Sequence, residues 1–534
     1  MSNKKKIGSF YTPSFLADFM VNHVARSMSS RKEYSILEPS VGDGMFIESI
    51  LNSSKVYNKN LKLTCVELIQ DELLKVIELI QDSGVDKWEA INDDFLNYHK
   101  ETKEFDFIIG NPPYVKKNFL NAEQIVKAKK VHSECNLKET SFKNLWSAFL
   151  LKCSSMLSNE GVLAFVLPSE LLQVKFSESI RQYLVSNFER TEIFTFDELM
   201  FDAIGQDTVV IICYKKAIEN GQFYCHVRNQ EELIKEKLDL KKNRSITKYN
   251  TKWTHHILDG DEIEFINQLK SKCLTTNDYC VSKPGIVTAA NNYFIVDEAT
   301  GNDYGLEKFL KPIIQKSIFV NGSVVFDIED FRKIERMGKP SQVLCLKNEI
   351  IDGDKRIRSY LDKGENELIH QRYKCQKRNK WYEIPNIGIP PEGMFFKRCY
   401  EYPKFLKNDA EVLVTDSAYQ VQMKDDYSIN SLVYSFYNSF TLLNAELDGR
   451  YYGGGVLELT PIEFKNLPIP YVDIKENEFD EFRKRFEKKV SIEEVLNEYD
   501  YLILNRVLKL SSEEIEKLQG IRKKLQNRRM RIVN

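Results

Sequence analysis

The sequence predicts an α/β fold. Residues 1–217 form a doubly wound, largely parallel sheet, and residues 218–534 form a mixed α+β region. Three observations carry this reading. Short apolar runs alternate with segments of helical periodicity up to about Lys216, the pattern of repeated strand–helix units. Several of those runs end in an acid or a glycine turn, where open α/β sheets bind ligands. Beyond Lys216 the alternation stops, and irregular stretches rich in Lys, Asn and Tyr take over.

A chain of 534 residues is too long for a single core, so at least two domains are expected. Hydrophobic residues make up 42% and charged residues 29%, and no apolar run approaches a membrane span. The start, Met1-Ser2-Asn3-Lys4-Lys5-Lys6, lacks the apolar stretch of a signal peptide. Ten cysteines without paired spacing suggest reduced thiols and a cytoplasmic location. The closest pair, Cys273 and Cys280, has no histidine nearby, and no metal site is predicted. Net charge is −2, so a nucleic-acid surface must be a local basic patch.

The elements follow in order. Tyr11-Thr12-Pro13 precedes a helical pattern with Phe15, Leu16, Phe19, Met20 and Val24 on one face. Thr12 is a good N-cap and Pro13 a good first helical residue. Next comes Ile36-Leu37-Glu38-Pro39-Ser40-Val41-Gly42-Asp43-Gly44-Met45-Phe46, a strand ending in an acid, a glycine turn and the start of a helix. Its glycines let a ligand approach the backbone. It lacks the third glycine of the dinucleotide fingerprint, and Glu38 suits a cationic or amino-bearing ligand better than a pyrophosphate. A strand from Leu61 to Val66 ends at Glu67, where doubly wound folds bind ribose hydroxyls. A third strand begins at Trp88 and leads to Asp94-Phe95, an acid and a ring suited to an adenine amine and its face.

The run Phe105 to Ile109 reads as a buried parallel strand that enters Asn111-Pro112-Pro113-Tyr114. Neither proline can donate to a ladder, so the strand stops there. An exocyclic amine on an aromatic ring is a poor nucleophile because its lone pair is delocalised. The Asn111 side-chain oxygen and the Pro112 carbonyl are two acceptors for its N–H bonds, and Tyr114 offers a stacking face. Rigid prolines keep the acceptors in place, which lowers reorganisation in the transition state.

These motifs together resemble the adenine-N6 DNA methyltransferases of the gamma arrangement, in which cofactor motifs precede the catalytic motif and a target-recognition domain follows. The resemblance rests on Tyr11-Thr12-Pro13, on Glu38 to Gly44, on Glu67, on Asp94-Phe95 and on Asn111-Pro112-Pro113-Tyr114, and it is firm over roughly the first 215 residues. It implies a seven-strand Rossmann-like S-adenosylmethionine methyltransferase domain, with S-adenosyl-L-methionine as donor and an adenine flipped out of duplex DNA as acceptor. The cofactor residues it implies are those of the first four motifs, with Phe46 and Asn111. It also implies the modification enzyme of a restriction-modification or phage-defence system, with a restriction endonuclease acting on the same site as candidate partner; a monomer is expected.

Later elements fit this frame. An amphipathic helix from Leu145 precedes strands at Val162 to Leu167, Glu192 to Phe196 and Asp207 to Tyr214, which makes seven. In the loop before the last strand, Phe201 is the candidate for a second stacking ring, with a core position beside Leu199 and Met200 as the alternative. The polar segment Asn118 to Asn144 has little periodicity and reads as a DNA-contacting or simply solvated loop. Candidate DNA contacts are Lys116, Lys117, Lys377, Arg378, Lys380, Trp381, Lys397 and Arg398. The basic last helix, with Ile515, Leu518, Ile521 and Leu525 on one side, touches DNA or solvent. Rival readings are methylation of cytosine N4, of RNA guanine N2 or of protein glutamine, and a non-catalytic DNA-binding subunit. The cytosine subclass more often carries serine in place of Asn111.

Overall fold

A computed structural model of the chain describes residues 11–27, 33–57, 60–99, 105–196, 207–235, 238–243, 252–253, 257–320, 322–346, 354–452 and 454–530. The chain divides into two units at Ile263/Glu264. Phe201 lies outside the described residues.

The first unit is built on one sheet. Its elements are α1 (Ser14–Ser27), β1 (Glu33–Glu38), α2 (Met45–Tyr57), β2 (Asn60–Glu67), α3 (Gln70–Ser83), β3 (Lys87–Asn92) and β4 (Phe105–Gly110). They continue with α4 (Ala122–Glu134), α5 (Leu145–Met156), β5 (Leu157–Pro168), α6 (Glu178–Asn187), β6 (Arg190–Phe196), β7 (Thr208–Tyr214), β8 (Gly221–Val227) and β9 (Lys241–Lys242). The strand order is β3-β2-β1-β4-β5-β7-β6-β8-β9. Strands β1 to β5 run parallel, and β7 runs antiparallel to both β5 and β6. Seven strands were expected; β8 and β9 add two more and carry the sheet past residue 217. The order reverses between β1 and β4, so the carboxyl ends of these strands flank the crevice of the switch point.

Both sheet faces are covered, which is why the parallel strands read as continuous apolar runs. Ile36, Phe107 and Ile109 join the core beneath α1 to α3, while Leu37 and Ile108 join the core with Trp146, Phe149 and Leu150 of α5. Helix α5 is buried at ten of its twelve positions, so it is a core helix, not the amphipathic one expected.

The segment 118–144 also departs from expectation. It contains α4, capped by a reciprocal Asn121–Gln124 box. Lys127 pairs with Glu123 and Lys130 with Glu134, each one turn away. Charge on both sides of the helix hid its periodicity. At its end, His132 is fully buried. Its Nδ1 lies 2.8 Å from Ser141 Oγ and its Nε2 3.0 Å from Ser147 Oγ, which ties α4 to α5.

The second unit contains a five-stranded sheet in the order Cys280–Pro284, Ala418–Met423, Gly393–Phe396, Lys404–Asn408 and Val325–Phe326. Phe395 stacks on Phe464 with ring centroids 4.2 Å apart. Helices Ser439–Asp448, Ile492–Asp500 and Ser512–Met530 follow. The last of these is not simply a basic surface. Arg522 is buried and grips Glu493 at 2.6 Å, and buried Arg529 makes a two-pronged pair with Glu446 at 2.7 Å. Among the described residues no helix is long and apolar enough to cross a membrane.

Burial pushes the His132 pKa down from its ordinary value to about 4. The folded state therefore resists a proton that the unfolded chain accepts below about pH 6.5. Stability is expected to fall as pH drops from 6.5 towards 4, by up to about 3 kcal/mol from this group. Denaturant melts across that range should show the slope, and His132→Gln should flatten it.

Candidate active site

At the carboxyl end of β1 the chain turns through Pro39-Ser40-Val41-Gly42-Asp43-Gly44 into α2. Gly42 has φ +52° and Gly44 φ +85°, a left-handed region that other residues enter at a cost. The turn is laid across the end of β2: the Val41 N–H donates to the Val66 carbonyl at 3.2 Å and the Gly42 N–H to the Glu67 carboxylate at 3.0 Å. The other Glu67 oxygen accepts from the Ile69 N–H at 2.9 Å. Glu67 thus shapes the loop first, and each of its oxygens keeps a second lone pair for a ligand hydroxyl.

Glu38 closes β1 and is 1% exposed. Its Oε2 has no hydrogen-bond partner among the described residues. Burial, with the neighbouring charges of Asp43 and Glu67, pushes its carboxyl well above the usual range. A buried, unpartnered carboxyl beside a backbone turn fits a ligand that brings a cationic amino group.

Asn111 stands at the end of β4, on the other bank of the crevice. Gly110 permits the approach of the two banks, since a Cβ there would lie 3.3 Å from Pro39 Cδ. The Asn111 Nδ2 donates to Thr12 Oγ1 at 3.2 Å. Tyr114 Oη donates to the Val166 carbonyl at 3.0 Å. If the β4–β5 register, which pairs Gly110 with Phe165, ran two residues further, position 112 would face Leu167 and its N–H would reach that same carbonyl. Pro112 has no N–H, and the tyrosine hydroxyl supplies the donor in its place.

The other sequence-predicted residues divide. Tyr11, half exposed, has its ring over the glycine turn, with Cδ1 3.6 Å from where a Gly42 Cβ would be, and its hydroxyl donates to Glu72 at 3.1 Å. Asp94 accepts from the Leu96 N–H at 2.9 Å in the turn after β3. The Phe95 ring, expected to face the cofactor, is 2% exposed and packs on Phe149 at 4.9 Å, so its face is covered. Phe46 is likewise a core residue below the turn. Lys152, which no local motif singles out, donates to the Phe95 and Leu96 carbonyls at 2.8 and 2.9 Å and fixes that turn. Burial lowers its pKa to about 8.

Two of the predicted DNA contacts have structural duties. Arg378 donates to the carbonyls of Thr288 at 2.8 Å and Trp381 at 3.1 Å, and Trp381 packs against Tyr293 at 5.6 Å on the edge of a core of the second unit. Both are half-buried. Lys116, Lys377, Lys380 and Arg398 are exposed, with Arg398 paired to Glu458 at 3.3 Å, while Lys117 and Lys397 are half-buried.

The N-6 DNA Methylase family matches residues 1–292, and the C-terminal domain of Type II methyltransferase M.Eco57I matches residues 250–504. Type II methyltransferase M.AccI of Acinetobacter calcoaceticus is 25% identical over 98% of this chain and 94% of its own length. Type II methyltransferase M.BanIII of Aneurinibacillus aneurinilyticus is 22% identical over 88% of this chain and 90% of its own. Among solved structures, the cryoEM structure of a DrdV–DNA complex shares the fold, with a TM-score of 0.51 and 14% identity over 90% of this chain and 57% of that one. The expected fold and family hold, and the chain belongs to the N-6 DNA methylases as an adenine-specific DNA methyltransferase.

Proposed function

We propose that this methyltransferase takes its methyl group from S-adenosyl-L-methionine held over the turns after β1, β2 and β3, and that Asn111 to Tyr114 hold the flipped adenine. The observation that carries the reading is the switch point itself. There the buried, unpartnered Glu38 and the Asn-Pro-Pro-Tyr turn face one crevice from adjacent strands. The donor supplies an electrophilic methyl group on a sulfonium.

The chain's own residues do the rest. Glu38 meets the amino group of the donor, and Glu67 its ribose hydroxyls. Asn111 Oδ1 and the Pro112 carbonyl accept from the two N–H bonds of N6, which favours a more tetrahedral nitrogen. Tyr114, its hydroxyl tied to Val166, presents its ring to the base. Two prolines hold these groups before the base arrives, so little reorganisation remains. The proton leaves N6 after transfer, and no strong general base is required.

The Type II names of the similar proteins and the DNA in the DrdV complex support a site-specific enzyme of a restriction-modification system. In this reading it works in the cytoplasm on duplex DNA, as a monomer, beside an endonuclease that cuts the same site. The deciding experiment is transfer of labelled methyl groups to unmethylated DNA, followed by nucleoside analysis and modification-aware sequencing. N6-methyladenine within one short motif is expected. Label in cytosine, RNA or protein would overturn it.

Asn111→Ala should cut transfer at least about a hundredfold while cofactor affinity stays within a few-fold. Glu38 yields a second expectation. A cation beside a carboxyl whose pKa burial has raised favours the ionised form, so donor binding should release protons. Affinity should then fall as pH drops through the raised pKa. Calorimetry in buffers of different ionisation enthalpy reads the release, and Glu38→Gln should abolish it.

A further inference from the structure

The turn after β3 carries Asp94, an acid suited to an adenine amine. One peptide group of that turn, between Phe95 and Leu96, is bonded at both ends. Its N–H, on Leu96, donates to Asp94 Oδ1 at 2.9 Å. Its carbonyl, on Phe95, accepts from Lys152 Nζ at 2.8 Å. Hydrogen bonds in a chain polarise one another, so a cation on the oxygen of a peptide strengthens the donor at its nitrogen. The ammonium and the carboxylate are thus joined through a single peptide.

Lys152 stands on α5, a helix buried at ten of its twelve positions. Its ammonium bridges two carbonyls, the second being that of Leu96 at 2.9 Å. Phe149, one turn earlier on the same helix, packs on the Phe95 ring with centroids 4.9 Å apart. Helix α5 therefore grips residue 95 both by its ring and by its carbonyl. From within the turn, the Tyr98 N–H donates to the Phe95 carbonyl at 3.1 Å and the Asn97 N–H to the Asp94 carbonyl at 2.7 Å. The Phe95 ring is covered, so the turn offers a purine its backbone and the Asp94 carboxylate. That carboxylate gives one oxygen to Leu96 and has a second for a ligand amine.

We propose that Lys152 is a positioning residue for the donor's purine. Acting through the Phe95–Leu96 peptide, it aims the Asp94 carboxylate at the 6-amino group, and so lets the site tell adenine from a purine that carries oxygen there. This rests on the reading that the donor lies over the turn after β3. Lys152 acts through Asp94 and not on the donor itself.

The test compares binding of S-adenosylhomocysteine, the product of the proposed transfer, with binding of S-inosylhomocysteine, which differs only at position 6 of the purine. Both affinities and thermal melting are measured on the full chain. The variants are Lys152→Met, which keeps the aliphatic stem and removes the ammonium, Lys152→Arg, which keeps the charge and the donors, and Asp94→Ala. The parent is expected to prefer the adenine compound at least about tenfold. Lys152→Met should lower that preference at least about fivefold with melting near the parent, and Lys152→Arg should stay within about twofold of it. A parent-like preference in Lys152→Met, or an equal loss of affinity for both compounds, would overturn the proposal while leaving Asp94 in place. If Lys152→Met does not fold, Lys152→Gln, shorter and uncharged, takes its place under the same criteria. A parent-like preference in Asp94→Ala would instead sink the underlying placement of the donor's adenine, and the proposal with it.

Discussion

The Tyr114 hydroxyl ties the Asn-Pro-Pro-Tyr turn to the neighbouring strand β5. Two prolines end β4 and remove the backbone donors that would have carried the ladder forward. The Val166 carbonyl of β5 would be left without the N–H of position 112, and the Tyr114 hydroxyl fills the vacancy. Such a bond contributes only about 1 kcal/mol net, yet leaving a buried carbonyl unpaired costs more. Its greater effect is geometric. It gives the aromatic ring a fixed reference on the sheet, while the proline rings fix φ on the way to it. The side chain proposed to meet the base is thereby also the one that finishes the strand pairing.

Two buried glutamates show how the same residue type is put to different ends. Glu192 is 3% exposed, and burial alone would push its pKa up. His23 at 2.7 Å and Arg190 at 2.7 Å reverse that and hold it below the ordinary range. Glu38 is buried to the same degree but faces only other acids, and its pKa is raised. The first is a completed structural pair within the protein. The second has no counter-charge among the causes of its shift and fits the proposed site, where a ligand supplies one.

Much of this was legible in the sequence where the signal is local. Strand–acid–glycine–helix and strand–Asn-Pro-Pro-Tyr each lie within about a dozen residues, and backbone chemistry dictates them. The readings that changed depend on distant partners. Nothing near Phe95 announces Phe149, nothing near Arg378 announces Thr288, and nothing near Asn111 announces Thr12. Basic residues misled most. Arg378, Arg522 and Arg529 look like phosphate contacts in sequence, yet each guanidinium is spent on carbonyls or carboxylates within its own unit. Helix α4 was missed for a related reason: its lysines and glutamates cancel one another along the surface, although the Asn121–Gln124 box was visible.

The clasp between Arg529 and Glu446 bears on how the protein can be handled. Arg529 also donates to the carbonyls of Tyr400 and Gly455, so one guanidinium near the end of the chain gathers three separate segments of the second unit. Trimming the tail back beyond it would strand Glu446, a carboxylate only 7% exposed, without its counter-ion, a loss that typically costs several kcal/mol. Shortening this helix, or a fusion that strains it, would therefore be felt across the second unit, far along the chain from the Asn-Pro-Pro-Tyr turn.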